Sequence, residues 1–161
     1  RFGNIRYGLG AIISLMHDVC ITLGVVCACT YIASTAIGQK MLIGDFKVDL
    51  TMIAAFLTLV GYSVNDTIVV FDRIRENRHK AGLTAQLIND SINQTLSRTI
   101  LTSFATFLVV FVMYVFGGPS TSLRGFNFAM CFGIFIGTYS SIAIASPILL
   151  IGYKADKDKV K

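Results

Sequence analysis

Residues Gly61 to Asn77 read GYSVNDTIVVFDRIREN. The segment closes an apolar run that begins near Leu50, so Asp66 falls inside a stretch long enough to be a membrane helix. Asp72, Arg73, Arg75 and Glu76 then mark where that helix leaves the lipid. A carboxylate more than a turn inside hydrocarbon is costly, and its usual uses are ion and proton pathways. Fold and function both turn on this placement.

The composition agrees with a membrane setting. Of 161 residues, 54% are hydrophobic and only 14% charged, with no Trp and two Pro. A soluble domain of that make-up would lack polar surface. Four apolar runs stand out, roughly 8 to 33, 50 to 71, 98 to 116 and 126 to 153. Each approaches or exceeds the ~20 residues that cross a bilayer as a helix. The predicted fold is therefore an all-α membrane protein of four transmembrane helices, one domain over residues 1–161.

The Lys and Arg residues set an orientation. Arg1 and Arg6 precede the first run, Arg73, Arg75, Arg78 and Lys80 lie between the second and third, and Lys154, Lys157, Lys159 and Lys161 follow the fourth. Lys40, Lys47 and Arg124 occupy the other side, the first two beside Asp45 and Asp49. Both ends of the chain and the middle loop are expected to be cytoplasmic. The net charge of +5 is thus a topology signal, and the aromatic-interleaved basic patch of a nucleic-acid surface is absent. The abrupt start, with no signal peptide before the first run, predicts a fragment of a longer protein.

Punctuation is sparse. Gly117, Gly118 and Pro119 end the third run, and Pro147 is placed to kink the end of the fourth. The loop from Ser34 to Asp49 carries an apolar patch, Met41 to Ile43, able to dip into the interface. Leu83, Leu87, Ile88, Ile92 and Leu96 are spaced as an amphipathic helix. It either lies on the cytoplasmic face or simply extends the third span, and periodicity does not separate the two.

Few other chemistries survive inspection. Cys27 and Cys29 point to nearly opposite sides of a helix, so they and Cys20 and Cys131 read as small packing residues. His17 and His79 give no zinc spacing. The chain has no phosphate loop, nucleophile elbow, HExxH or Rossmann glycine set. No cofactor is called for, and the chain reads as a non-enzyme whose energy comes from an ion gradient or a partner ATPase.

Stepping back from Asp66 by three or four residues gives Tyr62, Thr58, Ala55 and Thr51, a small and polar stripe predicted to face the bundle interior. Ile53, Phe56, Leu57, Val60 and Val64 are predicted to face lipid. A buried carboxylate wants a partner, and Arg98 is the natural one. Its face continues through Gln94, Thr102 and Thr106. Levelling Arg98 with Asp66 requires the third helix to enter the membrane near Ile92, a span of 92–116, with Asn93, Gln94, Thr95 and Ser97 turned inward or hydrated. Desolvation favours the protonated acid and a guanidinium favours the carboxylate. Arg98 does not release its own proton, so Asp66 carries the titration. A proton falling through a ~100 mV potential yields about 2.3 kcal/mol, enough to bias a two-state element modestly. From these residues alone, relay and static ion pair stand level. His17 and Asp18 point about 100° apart, so at most one is central to a shared site, and a supporting hydrogen bond to another helix is the preferred reading. In the last span Gly133, Gly137, Ser141 and Ala145 recur every four residues, a packing signal.

Several blocks together carry a resemblance: ISLMHDV in the first span, GYSVNDTIVVFDRIREN in the second, NQTLSRTILTS entering the third, YVFGGPS ending it, and RGFNFAMCFGIFIGTYSSIAIASPILL in the fourth. From about Ile12 to Leu150 the chain resembles the SecF family and the SecF-like half of fused SecDF proteins. The resemblance implies a resistance-nodulation-division type bundle, of which this chain is the last four of six helices. It implies an accessory subunit of the bacterial Sec export machinery that couples the proton motive force to translocation. Implied partners are SecD or a SecD-like half, the SecYEG channel, the exported unfolded polypeptide, protons and the lipid of the bacterial cytoplasmic (inner) membrane. The family's embedded acid and arginine fall on Asp66 and Arg98 and its threonine on Thr102, with Asn65, Gln94 and Asp18 in support. Two other readings stay open: a related proton-coupled exporter of lipids or small molecules, and a passive membrane scaffold.

Overall fold

A computed structural model describes residues 5–33, 46, 48–81, 84–117 and 121–150. Its elements are helices α1 (Ile5–Ile32), α2 (Leu50–Ala81), α3 (Ala85–Phe116) and α4 (Thr121–Ser140), followed by a π-helical stretch Ser141–Ala145 and a last turn Ser146–Ile148. The described residues include no strand. Among the described residues, four helices are long and apolar enough to cross a membrane.

Local chemistry sets the boundaries. Asp49 Oδ1 accepts from the Met52 N–H at 2.9 Å at the start of α2, and Thr84 Oγ1 accepts from the Leu87 N–H at 3.1 Å at the start of α3. Each side chain satisfies one of the donors a helix start leaves free. At the end of α3 the Gly117 N–H closes on the Met113 carbonyl at 2.8 Å. Gly118 and Pro119 lie outside the described residues. So do the 34–45 loop, the predicted end of the fourth span at Tyr153, and the flanking charges Arg1 and Lys154 to Lys161.

Two spans outrun their apolar runs. Helix α2 continues past Phe71 to Ala81, carrying the charged residues as an extension. The amphipathic stretch before the third run is continuous with it in α3. Its extension reading is therefore the one the chain adopts, with Leu87 and Ile88 buried against the end of α2.

Helices α2 and α4 form the inner pair, with α1 leaning on one side of it and α3 on the other. The helices alternate in direction. Tyr7 near the start of α1 meets Phe71 near the end of α2, ring centroids 5.4 Å apart. Cys29 near the end of α1 shares a cluster with Met52 near the start of α2.

The interior is layered. One apolar cluster, with Val26, Met52, Leu59, Tyr114, Phe128 and Ile134, fills one end. A second, with Tyr7, Phe71, Ile74, Leu87, Ile88 and Leu149, fills the end where the Arg73 to Arg78 charges lie. Between them the buried residues are polar: Ser14 and Asp18 of α1, Ser63, Asp66 and Thr67 of α2, Thr99 and Ser103 of α3, Ser140 and Ser141 of the fourth span. This belt positions the site.

The cysteines behave as small apolar groups. All four are free, and Cys29 and Cys131 are buried in the first cluster. The sequence reading of α2 is corrected at several positions, and Val60 and Val64, expected to face lipid, are half-buried. Ile53 and Leu57 do face outward, but so does Thr58, whose hydroxyl turns back to its own Ala54 carbonyl at 2.8 Å. Phe56 is half-buried against the first cluster. The inward face is set instead by Met52, Ala55, Leu59, Ser63, Asp66 and Val70, because apolar packing on α4 outweighs the small polar stripe.

Candidate functional site

Asp66 is 4% exposed. Helix α2 turns it toward α3, where Ser103 Oγ lies 3.4 Å from Asp66 Oδ2. Ser103 is a hub. Its oxygen is 2.9 Å from the Tyr62 hydroxyl and 2.8 Å from Thr138 Oγ1 of α4. A serine has one proton and two lone pairs, so three contacts suit it fully: tyrosine and threonine donate to Ser103, and Ser103 donates to the carboxylate. Thr138 has a second acceptor within reach, its own Ile134 carbonyl at 2.7 Å. Helices α2, α3 and α4 thus converge on one hydroxyl beside one buried acid.

Closer to the charged end a second knot joins α2 to α3. Gln94 Oε1 accepts from Arg73 Nε at 2.6 Å and from Asn77 Nδ2 at 3.2 Å. Arg73 Nη1 meets Glu76 Oε2 at 2.5 Å, and Asn77 Nδ2 also reaches Ser91 Oγ at 2.8 Å. The two bridges fix the register, with Tyr62 opposite Ser103 and Arg73 opposite Gln94. Asp66 is four residues from Tyr62 and Arg98 four from Gln94, so both lie between these rungs.

Sharing a level does not bring Asp66 and Arg98 into contact. Arg98 is exposed, and the ion pairs within 4.0 Å do not include it with Asp66. Thr102 is exposed too, its hydroxyl within 3.0 Å of the Arg98 and Thr99 carbonyls of its own helix. Thr106 does the same to the Thr102 carbonyl at 2.9 Å. Asn65 and Gln94 are exposed as well, Gln94 at the bridge to α2. The buried face of α3 runs through Ser91, Thr99, Ser103, Val110 and Tyr114, a rotation of one residue from the expected Gln94–Arg98–Thr102 face. Small hydroxyls let α3 approach both α2 and α4, whereas a guanidinium at that seam would hold them apart.

Ser103 is the residue that sequence reasoning missed. The available signal was the four-residue step from Thr99 to Ser103 beside Arg98. Nothing in the sequence singles out Thr138 of α4, the other partner of Ser103. Asp18, expected as a support, is fully buried and takes a hydrogen bond from Ser63 of α2. His17 is the outward member of that pair, as the angle between adjacent residues requires.

Residues 1–155 match the family described as protein export membrane protein SecD/SecF, C-terminal. The chain is 51% identical over 147 residues to the protein translocase subunit SecF of Rhodothermus marinus, covering 90% of this chain and 44% of that protein. It is 51% identical over 146 residues to the SecF subunit of Koribacter versatilis, covering 89% and 32%. Among solved structures it is similar to a SecDF from a Thermus species, described as a translocon-associated membrane protein, with a TM-score of 0.72 and 41% identity over 91% of this chain and 18% of that one. The chain thus spans less than half the length of the curated relatives it matches. With four membrane-type helices in the matching arrangement, it is a multi-pass membrane protein, and it belongs to the SecD/SecF C-terminal family of protein export membrane proteins.

Proposed function

We propose that this chain is the membrane domain of a SecF-type subunit in which protonation of Asp66 couples the proton motive force to export of unfolded polypeptides. The observation that carries the reading is the sealed Asp66 carboxyl joined through Ser103 to three helices. The Lys and Arg bias supports placement in the bacterial inner membrane with the Arg73 to Arg78 end cytoplasmic.

The chemistry follows from counting protons. As a carboxylate, Asp66 accepts from Ser103, which in turn accepts from Tyr62 and Thr138. As an acid, Asp66 can donate to Ser103 instead. Ser103 then has one lone pair fewer to offer, and Thr138 can fall back on the Ile134 carbonyl. One proton on α2 thereby changes how α3 is tied to α4. Protons enter as the coupling ion and no cofactor is used.

Arg98, Thr102 and Asn65 sit on the outward face beside this hub. An arginine exposed at membrane depth is unfavourable in lipid. That supports a neighbouring membrane element there, read here as SecD or a SecD-like half, with the SecYEG channel and the exported chain as further partners. Arg98 then tunes Asp66 from across the seam. The Asp66–Arg98 contact on which both a paired relay and a static ion pair would rest is not made, so the relay proposed here rests on the Ser103 hub instead. The lipid or small-molecule exporter loses ground because the relatives are named for protein translocation.

The test uses the full-length protein in inverted membrane vesicles. Asp66→Asn is expected to abolish the part of export that depends on the gradient while leaving protein levels near normal. Unchanged gradient-dependent export with Asp66→Asn overturns the proposal.

A further inference from the structure

A second carboxyl is sealed inside the bundle. Asp18 of α1 is 0% exposed. Ser63 Oγ of α2 donates to its Oδ2 at 2.6 Å, within the short range typical of a hydroxyl on a charged acceptor. His17 Nδ1 lies 3.2 Å from Oδ1, and the imidazole is 30% exposed where the carboxyl is closed off. From α4, Gly137 packs against the same oxygen, since a Cβ there would stand 3.7 Å from Oδ2. The titratable groups around Asp18 are His17 on its own helix and Asp66, one turn from Ser63 on the inward face of α2. From α4 it meets Gly137, and no described Lys or Arg forms an ion pair with it within 4.0 Å. The belt also holds two buried hydroxyls, Thr22 Oγ1 and Thr67 Oγ1, with no hydrogen-bond partner.

A sealed carboxylate with no fixed cation is strongly disfavoured unless a proton neutralises it. Here two groups can take that proton. Neutral imidazole beside carboxylate carries one negative charge, and one added proton cancels it. The neutral pair is either imidazolium with carboxylate or imidazole with carboxylic acid. The exposed ring provides the route: a proton binds Nε2, the Nδ1 proton passes to Asp18 Oδ1, and Ser63 keeps its bond to Oδ2 throughout.

We infer that His17 and Asp18 form a second proton-binding site, loaded through the imidazole and held by Ser63. The site's coupling role rests on the proton-driven reading above; its proton binding does not. Ser63 shares the inward face of α2 with Asp66, and Gly137 adjoins Thr138 on α4. The two carboxyls therefore sit on either side of the same inner helix pair. A sliding of α2 against α4 alters both sites at once.

Infrared difference spectroscopy of the full-length protein in lipid nanodiscs, stepped through pH, reads buried carboxylic acids by their C=O bands. Two bands are expected. Asp18→Asn, which keeps an acceptor for Ser63, removes one of them, and Asp66→Asn removes the other. His17→Gln moves the midpoint of the Asp18 band, and Ser63→Ala, which keeps both titratable groups, shifts its frequency. A spectrum unchanged by Asp18→Asn, or an Asp18 midpoint unmoved by His17→Gln, overturns the inference. Gradient-dependent export on the same variants keeps the two questions apart. Normal export by Asp66→Asn ends the coupling reading and leaves the Asp18 band standing.

Discussion

The carbon that Gly133 lacks would fall on the side chain of Leu59. Leu59 is 1% exposed and locked in the first apolar cluster, so it has little room to yield. Helices α2 and α4 are packed more closely there than at Gly137, about one turn further along, beside Thr138. Packing at Gly133 therefore sets how closely the helices bearing Asp66 and Thr138 approach.

Gly133→Ala is expected to destabilise the bundle by about 1–3 kcal/mol through overpacking. Adding Leu59→Ala should recover part of the loss. Gly137→Ala should be milder, because a Cβ there meets Ser63 Cβ at 3.4 Å, an ordinary contact. Thermal unfolding of the three variants in detergent checks the order. Equal losses at Gly133 and Gly137 would contradict it.

The hub makes a second prediction. Ser103→Ala leaves Tyr62 and Asp66 each short of one partner, while Thr138 keeps its Ile134 carbonyl, at a cost of about 1–3 kcal/mol for buried groups. Gradient-dependent export should fall strongly. Thr102→Ala removes only a bond to its own helix and should leave stability within about 0.5 kcal/mol of the parent. The comparison is informative because the residues are neighbours in sequence, and denaturation combined with vesicle export separates them.

That contrast also explains what was legible beforehand. Four spans, the polar interior at Asp66 and the Gly133–Gly137 packing face follow from hydropathy and period, since burial in lipid leaves long apolar runs and small residues mark close contacts. The partner of Asp66 does not follow. Charge matching selects Arg98, but which face of α3 turns inward depends on packing against two helices at once, and a 100° rotation chooses Ser103 over Thr102. The length of α2 was hidden for a related reason. Its last turns carry Arg73, Glu76 and Asn77, which read as a loop until their bonds to Gln94 and Ser91 show a helix tied to its neighbour.

Arg98 makes a third prediction. It touches neither Asp66 nor another described carboxylate within 4.0 Å, so Arg98→Gln should leave the stability of this bundle within about 0.5 kcal/mol. Gradient-dependent export should nevertheless drop, because the charge that acts on Asp66 is gone. Arg98→Lys, which keeps the charge, should retain more export than Arg98→Gln. Unfolding and export measured side by side check this, and a large stability loss would place Arg98 in a structural contact instead.

The π-helical stretch Ser141–Ala145 makes the last. Pro147 has no N–H to continue an α-helical ladder, and its ring crowds the carbonyl four residues back. Widening the preceding turn relieves both, and Ser146 Oγ donates to the Ser141 carbonyl across the widened turn at 3.1 Å. The wide turn lies just beyond Ser140, which accepts from Ser14 of α1 at 3.1 Å, so it sets the angle at which α4 meets the Asp18 side of the bundle. Pro147→Ala restores the N–H and should let the segment tighten toward regular α-helix. Amide exchange of residues 141 to 146 should slow, by about tenfold for a bond worth roughly 1.4 kcal/mol. Adding Ser146→Ala should then cost little, whereas Ser146→Ala alone should speed exchange there. If Pro147→Ala leaves exchange over this segment unchanged, the proline is not the cause of the wide turn.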